Sequence, residues 1–339
     1  MCFAAVQERD MGLMAMGGVM TEGPVHSLKH RVEYALFCFW GHVFTVLPYR
    51  AALAVGWGVA WIGHYLLRYR VDMVYGRIRG VFPALERRKV RRIAWLSWRN
   101  FVFNMVDTFR LRRINDAWMR RYIVDYEDTA RRVRESLSHG GGAVGVSLHM
   151  GCAEVQAVCL QQMGVDVFVI TGRQKNLLVD DRLNAMRKGT GIECIPKSAG
   201  SALFKQVFRR LKQGGVLTML VDIRQPEGGV DVDFLGGKAS AVPGMGLFAK
   251  KCDVPAIPSI ISREGWTRHH LRIFEPILPD PGLEVGEDVQ RMTQQVFTFF
   301  EKAIQERPEQ WFWYNKNWIL APLRQKKPPV PESATGEAS

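Results

Sequence analysis

The feature that most constrains the fold is a regular alternation of short apolar runs and helical segments that begins near residue 140. The apolar runs are typical of buried strands and lie at Ala143–Leu148, Val165–Ile170, Ile192–Ile195, Val216–Val221, Ala256–Ile261 and Leu271–Phe274. Helical patterns lie between and after them, at 151–163, Leu177–Lys188, Ser201–Lys212, Val242–Lys251 and about 286–306. Strands that alternate with helices predict an α/β domain over residues 138–321, with a mixed sheet flanked by helices.

A long apolar stretch precedes this domain. Between residues 34 and 67 the only formally charged residue is Arg50. Together with Pro48 it divides the stretch into two runs, 34–47 and 51–67. A helix needs about 20 apolar residues to cross a bilayer, so neither run predicts a simple membrane span.

The flanks of this stretch favour a membrane surface. Basic residues stand on both sides of it, and it contains the interfacial aromatic residues Trp40, Trp57, Trp61 and Tyr65. We interpret it as a membrane-seated helical hairpin or a pair of interfacial helices, with a buried helical pair of a soluble domain as the alternative. Residues 68–137 continue with basic amphipathic helices. Residues 26–137 are therefore predicted to form a membrane-associated helical region whose partner is an anionic membrane surface.

Composition narrows the range of partners. The formal net charge of +13 favours anionic partners, such as nucleic acid, an acidic leaflet or an acidic carrier protein. Zinc-finger spacing and an aromatic-rich basic RNA motif are absent from the sequence, so we predict no nucleic-acid partner. The six cysteines are scattered without a C-x-x-C pair, which is typical of free thiols in a reducing compartment. Residues 1–25, which contain several methionines, and the tail 322–339 are predicted to be disordered or, at the start, wrongly assigned to the chain.

The strongest candidate for chemistry is a histidine directly after the first predicted strand. His149 is followed five positions later by Glu154, in the first turns of the next helix. A hydrogen bond from Nδ1 of His149 to this carboxylate would leave Nε2 free as a general base. Gly151 would let a substrate approach the backbone, and the open amides there would stabilise an oxyanion. The spacing alone also fits a buried structural histidine.

Cys152 and a pair of histidines are two further candidates for chemistry. Cys152 lies three residues after His149, which raises the alternative of a Cys–His nucleophile, although one helical turn leaves little room for that geometry. His269 and His270 are neighbours on a predicted strand, so their side chains point to opposite faces and cannot easily share a metal ion. We predict no metal site.

Several further motifs occur in a fixed order with the His149/Glu154 pair. They are Arg31-Val-Glu-Tyr34, Leu47-Pro-Tyr-Arg-Ala-Ala-Leu53, Thr171-Gly-Arg-Gln-Lys-Asn176 with Asp180, Lys212-Gln-Gly-Gly-Val216, Val221-Asp222, Val232-Asp-Phe-Leu-Gly236, Val254-Pro-Ala-Ile-Pro258 and Pro308-Glu-Gln-Trp311 with Trp313. Over roughly residues 30–320 the chain resembles the lysophospholipid acyltransferase superfamily and, within it, the late acyltransferases of lipid A biosynthesis. The resemblance implies a glycerolipid acyltransferase-like fold that needs no cofactor.

The resemblance also implies a reaction and a location. An acyl chain would pass from an acyl carrier protein or coenzyme A thioester directly to a hydroxyl of a lipid A precursor, at the inner membrane on its cytoplasmic side. Another glycolipid acceptor, such as one resembling a phosphoinositol mannoside, is the alternative acceptor. A non-catalytic lipid-binding protein on the same fold and a thioesterase are the alternative functions.

Substrate contacts are carried over from the resemblance to four positions. Arg173 would grip an acceptor phosphate or the oxyanion, with a surface ion pair as the alternative, and Lys175 would assist as a point charge. Asn176 and Asp222 would contact substrate or make structural hydrogen bonds. The chain departs from the family where Asp222-Ile-Arg224 replaces the usual Asp-Gln/His-Asp, and where Asn315-Lys-Asn317 replaces a frequent His-Arg-Arg.

Overall fold

The computed structural model describes residues 27–138 and 141–320 of the 339-residue chain, so the predictions for 1–25 and 322–339 lie outside the described residues. The helices are α1 (Leu28–Val46), α2 (Tyr49–Trp61), α3 (Val71–Val81), α4 (Arg87–Phe109), α5 (Asp116–Tyr122), α6 (Tyr126–Ser136), α7 (Ala153–Gln162), α8 (Leu177–Lys188), α9 (Ser201–Lys212), α10 (Gly244–Cys252) and α11 (Val285–Glu306). The strands are β1 (Ala143–Ser147), β2 (Val167–Thr171), β3 (Glu193–Pro196), β4 (Val216–Leu220), β5 (Val230–Phe234), β6 (Gly237–Ala241), β7 (Ala256–Glu264) and β8 (Arg268–Ile273).

The main sheet confirms the predicted mixed α/β fold with flanking helices. Its six strands follow the order β3-β2-β4-β1-β7-β8. The first five of these are parallel, and β8 pairs antiparallel with β7 at the edge. A separate antiparallel hairpin, β5–β6, turns through Leu235 and Gly236, which both have positive φ.

Successive residues of β1 face opposite sides of the sheet. Val144 and Val146 belong to a buried cluster that contains the apolar faces of α9, α10 and α11, whereas Ala143 belongs to a cluster with α7. This period of two is what a strand covered on both faces requires. The layer of α9, α10 and α11 therefore lies across the sheet from α7.

The order of the strands brings distant parts of the sequence together. β1 and β4 are direct neighbours in register, with Ser147 opposite Leu220. His149 and Asp222 each follow one of these strands, two residues beyond its last member. Because both strands run in the same direction, the two side chains meet at the carboxyl edge of the sheet, where ligands bind in open α/β folds.

The long helix α4 connects the N-terminal helices with the α/β domain. Phe103 and Val106 of α4 form a buried cluster with Ala52 and Leu53 of α2. Helix α2 continues into a π-helical turn, Ile62–Leu66. Within residues 27–138 and 141–320, no helix is both long and apolar enough to cross a membrane.

A buried ion pair fixes α4 to the sheet. The guanidinium of Arg263, on β7, donates to the carboxylate of Asp107 on α4, and both side chains are nearly inaccessible. Tyr49 at the start of α2 also donates to Asp107, at 2.8 Å. Burial opposes the charge of Arg263, but the Asp107 carboxylate outweighs it and raises the pKa of the guanidinium. Three separate elements therefore depend on one buried carboxylate.

We expect Arg263→Met to lower the free energy of unfolding by about 3–5 kcal/mol, because it leaves the charge of Asp107 buried without its partner. Chemical denaturation of the purified protein measures this. The control is Arg272→Met, which removes an exposed ion pair with Glu306 and should cost less than about 1 kcal/mol. Equal losses in the two variants would contradict a structural role for the buried pair.

Candidate active site

The central interaction of the site joins His149 to Asp222. Nδ1 of His149 lies 2.7 Å from Oδ1 of Asp222, and the backbone N–H of His149 donates to Oδ2 of the same carboxylate at 2.9 Å. The carboxylate is thus held by the ring and by the main chain of one residue. A carboxylate that accepts the Nδ1 proton fixes the ring and its tautomer.

Trp311 completes the hydrogen bonding of Asp222. Its indole Nε1–H donates to Oδ2 at 2.8 Å. The segment around Trp311 is itself tied to the end of β1, because Phe312 N–H donates to the carbonyl of His149 at 2.8 Å and Met150 forms a bridge with Trp311. The closing Pro308-Glu-Gln-Trp motif matched the family in sequence, but its role as a partner of Asp222 was missed.

His149 and Asp222 each stabilise the charged form of the other. Burial lowers the pKa of His149, but the charge of Asp222 and its hydrogen bond outweigh burial and raise it above the usual value. Burial raises the pKa of Asp222, but His149 and Trp311 outweigh burial and lower it. The carboxylate therefore stays ionised and stabilises a proton on the imidazole.

The second ring nitrogen of His149 is available for chemistry. Nε2 is buried and has no hydrogen-bond partner within the described part of the chain. His149 lines a pocket between α4 and the start of α7, whose apolar wall consists of Phe101, Met105, Leu220 and Phe312. A substrate hydroxyl that enters this pocket meets an unoccupied basic nitrogen.

Glu154 lines the same pocket, but the predicted hydrogen bond from His149 to Glu154 is wrong. Both carboxylate oxygens of Glu154 accept from Arg187 of α8, at 2.8 and 3.1 Å. Asp222 takes the predicted place of Glu154, because the neighbouring parallel strand β4 delivers a carboxylate directly to Nδ1. The sequence alternatives for Asp222 were substrate contact and structural hydrogen bonding, and the second describes its geometry.

Gly151 packs closely against neighbouring backbone, and its own N–H is not among the open amides predicted at the start of the helix. Its N–H donates to the carbonyl of Gln310 at 3.1 Å. Its φ is +66°, and a Cβ atom there would lie 1.9 Å from the carbonyl oxygen of Ile261. The carbonyl of Gly151 accepts from Nδ2 of Asn104 on α4 at 2.6 Å. Only glycine fits between these three backbone and side-chain contacts.

The environment of Cys152 does not favour a nucleophile. Burial raises the pKa of its thiol to about 12, so the thiolate is scarce at neutral pH. The Sγ atom lies 3.6 Å from the carbonyl of Asn104. Cys152 therefore contributes to the pocket wall as a small apolar side chain.

The other predicted contact residues lie on the loop after β2. Arg173 and Lys175 are exposed there and form no ion pair or hydrogen bond within residues 27–138 and 141–320. Asn176 is buried, and its Nδ2 donates to the carbonyl of His30 and to Glu33 of α1. The structure thus leaves Arg173 and Lys175 free at the carboxyl edge of the sheet, whereas Asn176 fastens α1 to the α/β domain.

Two residues at the departures from the family carry unsatisfied donors. Nε of Arg224 and Nδ2 of Asn315 are buried and have no acceptor in the described part of the chain. The segments that contain them touch, since the N–H of Arg224 lies 3.5 Å from the carbonyl of Asn317. Arg224 follows Asp222 by two positions, so these donors lie on the same edge as the candidate base.

The two neighbouring histidines, His269 and His270, have separate surroundings. Over residues 27–138 and 141–320, no group of three or more His, Cys, Asp or Glu side chains is arranged to hold a metal ion. His270 instead pairs with Glu264 at 2.5 Å, and His269 is buried 3.8 Å from Asp107.

Comparison with known families identifies the class of protein. The family model of bacterial lipid A biosynthesis acyltransferases matches residues 25–319, which is most of the chain. The chain therefore belongs to that family, as its motifs predicted, and it is an acyltransferase. Comparison with curated proteins finds no match.

A substitution at Gly151 tests how tightly the loop after β1 is packed. We expect Gly151→Ala to disturb the loop that carries His149 and to destabilise the fold, because the added Cβ meets the carbonyl of Ile261. Gly164→Ala is the matched control, since Gly164 also has positive φ but nothing lies within 4 Å of its added Cβ. The control should lose only the backbone cost of about 1–2 kcal/mol, measured by chemical denaturation. If both variants lose the same amount, the close approach at Gly151 is not restrictive.

Proposed function

We propose that this acyltransferase moves a fatty acyl chain from a carrier protein or coenzyme A thioester to a hydroxyl of a lipid A precursor, with His149 as the general base. The observation that supports this role most directly is the free Nε2 of His149, which faces a pocket while Nδ1 is bound to a buried carboxylate. Family membership supports a lipid A-type acceptor.

The proton follows a simple path in this proposal. Nε2 of His149 takes the proton of the acceptor hydroxyl as its oxygen attacks the thioester carbonyl. Asp222 stabilises the resulting imidazolium through the bond to Nδ1 and acts as a positioning residue. The tetrahedral intermediate then collapses, the carbon–sulfur bond breaks, and the proton passes from His149 to the leaving thiolate. A covalent acyl-enzyme is not required.

Charge that develops on the carbonyl oxygen needs donors nearby. Ala153 and Glu154 form the first turn of α7 and line the pocket, and the first amides of a helix have no acceptor within their own helix. They are our candidates for the oxyanion site. Arg173 and Lys175, which are free on the same sheet edge, remain our candidates for an acceptor phosphate.

We further propose that the N-terminal helices lie on the cytoplasmic face of the inner membrane. Most exposed large apolar side chains of the described chain belong to residues 28–69, among them Phe39, Trp61 and Leu66. The start of α4 adds an exposed basic cluster: Arg87, Arg88, Lys89, Arg91 and Arg92. Apolar and aromatic side chains beside basic ones are suited to an anionic lipid surface.

Paired carboxylate-to-amide variants test the assignment of Asp222. We expect Asp222→Asn to lower kcat by about 10³–10⁴-fold, by analogy with loss of the carboxylate in a catalytic triad. Neutral His149 is the active form, so activity falls as pH drops through its pKa. Because Asp222 raises that pKa, Asp222→Asn should move the acid limb of the pH–rate profile to lower pH.

The matched control is Glu154→Gln, which changes the carboxylate bound to Arg187. Whatever its effect on the rate, its acid limb should stay at the wild-type position. If the acid limb of the pH–rate profile shifts in Glu154→Gln and stays in place in Asp222→Asn, then Glu154, and not Asp222, is the carboxylate that acts on His149.

The reaction itself is tested with protein in membranes, radiolabelled acyl carrier protein or coenzyme A thioester, and a panel of lipid acceptors. We expect label on a lipid A precursor and none with His149→Ala. Label on a different glycolipid would correct the acceptor. Label released as free fatty acid would indicate a thioesterase, and turnover by His149→Ala would exclude His149 as the base.

Membrane placement has its own measurement. We expect Phe39→Ser/Trp61→Ser/Leu66→Ser to reduce cosedimentation with vesicles that contain phosphatidylglycerol by about tenfold or more, because burial of each large apolar side chain contributes about 1.5–3 kcal/mol. Thr298→Ala/Gln305→Ala, on the exposed face of α11, is the control and should bind as the wild type does. Unchanged binding of the triple variant would show that these helices do not contact lipid.

A further inference from the structure

Helix α9 carries two parallel stripes of exposed side chains on the layer across the sheet from α7. The buried face of α9 consists of Leu203, Val207 and Leu211. On the outer side, Phe204 is 49% exposed and Phe208 follows it one turn later, half-buried. The basic residues Lys205, Arg209 and Lys212 form the second stripe. Their spacing of four and three residues places them on one face of the helix.

The aromatic stripe is a supported surface feature. The ring of Phe204 lies 5.8 Å from that of Phe248 on α10, and Phe208 lies 6.0 Å from the same ring. Phe248 is buried, so the exposed ring of Phe204 rests on the core. An aromatic side chain held in this way can enter a partner with little loss of conformational entropy.

The basic stripe lacks acidic partners. Lys205, Arg209 and Lys212 form no ion pair within the described ranges 27–138 and 141–320, whereas the neighbouring Arg210 is neutralised by Asp166 and Glu193. Lys251, near the end of the adjacent α10, is also exposed. A compact apolar contact flanked by unpaired positive charges complements an acidic helix with an apolar ridge.

The position of α9 fits delivery of a thioester. Helix α9 begins just after β3, at the carboxyl edge where His149 and Asp222 also lie. Three strand spacings separate β3 from β1, which amounts to roughly 15 Å.

A carrier protein presents its thioester on a flexible arm. Phe204 and Lys205, at the start of α9, lie at this edge, whereas Arg209 and Lys212 lie towards the amino edge, where the carbonyl of Leu211 meets Gly142 before β1. A carrier docked along α9 would therefore send its arm towards the pocket from the start of the helix.

The same position separates α9 from the proposed lipid surface. Asn176 ties α1 to the start of α8. Consecutive parallel crossovers in one direction place α7 and α8 on the same face, and α9, which returns towards β1, on the opposite one. The apolar N-terminal helix α1 therefore lies against the layer opposite to α9.

From these observations we infer that the α9 stripe of Phe204, Lys205, Arg209 and Lys212 docks an acidic acyl carrier protein as the donor of the acyl chain. This inference rests on the proposed thioester donor and adds the location of its binding surface. Docking brings the carrier to the edge of the sheet and leaves the chemistry to His149.

The test measures binding of fluorescently labelled holo acyl carrier protein to the full chain. Lys205→Glu/Arg209→Glu/Lys212→Glu should weaken binding about tenfold or more and flatten its dependence on salt, because like charges then face the carrier. Phe204→Ala should weaken binding without changing the salt dependence. The matched control, Lys238→Glu/Arg268→Glu/Lys302→Glu, reverses three exposed basic residues on other elements and should bind as the wild type does.

Turnover provides a second readout. The α9 triple variant should show a raised KM for acyl carrier thioester with kcat retained at saturation. The three single reversals, each of an exposed residue, repeat the test if the triple variant fails to fold.

Several results would contradict docking of the carrier protein on α9. Carrier affinity that is unchanged in the α9 variants, or lost equally in the control, overturns the inference. Loss of binding to phosphatidylglycerol vesicles with carrier affinity intact would make the stripe a lipid surface instead. Because carrier binding needs no catalysis, His149→Ala should bind the carrier normally, and a wild type that binds the carrier but transfers nothing would count against the proposed function alone.

Discussion

The bond between His149 and Asp222 is the interaction around which the site is built. The bond forms because β1 and β4 are parallel neighbours that end at the same level. His149 and Asp222, each two positions beyond the end of its strand, therefore lie side by side. Trp311 and the main chain of His149 supply the remaining donors to the carboxylate. A buried carboxylate with three donors stays ionised and cannot turn away, and the imidazole it holds can present only Nε2 to a substrate.

Helix α4 links this site to the surface proposed to contact lipid. Ser97 and Asn104 donate to the carbonyls of Trp311 and Gly151, both at 2.6 Å, so one face of α4 holds both sides of the site. The same helix begins with the basic cluster and packs against α2. The buried pair of Asp107 and Arg263 joins α4 to β7. Binding of the N-terminal helices to a membrane would therefore orient the pocket, because α4 packs against α2 and also lines the pocket.

Local sequence patterns predicted much of this structure, but they did not predict which distant residues pair. The bounds of α8 and α9 follow from helical periodicity and agree with the predicted ranges, and the position of His149 after a strand follows from the apolar run before it. The β5–β6 hairpin was missed because its strands are short and half-exposed. The partner of Nδ1 was wrong for a different reason: sequence spacing favours Glu154, five residues away, whereas strand order brings Asp222 from a distance of 73 residues. Strand order is not encoded in any local window.

The two segments that depart from the family pattern contact each other in the folded chain. Residues 222–224 and 315–317 are far apart in sequence, but their backbones meet at Arg224 and Asn317, directly beside the carboxylate that holds His149. A change in one segment therefore alters the surroundings of the other. The donors left on Arg224 and Asn315 change the polarity of this edge without touching Nε2. Because Asp222 is held by His149 and Trp311, the donors of Arg224 and Asn315 take no part in the bonds that fix the candidate base.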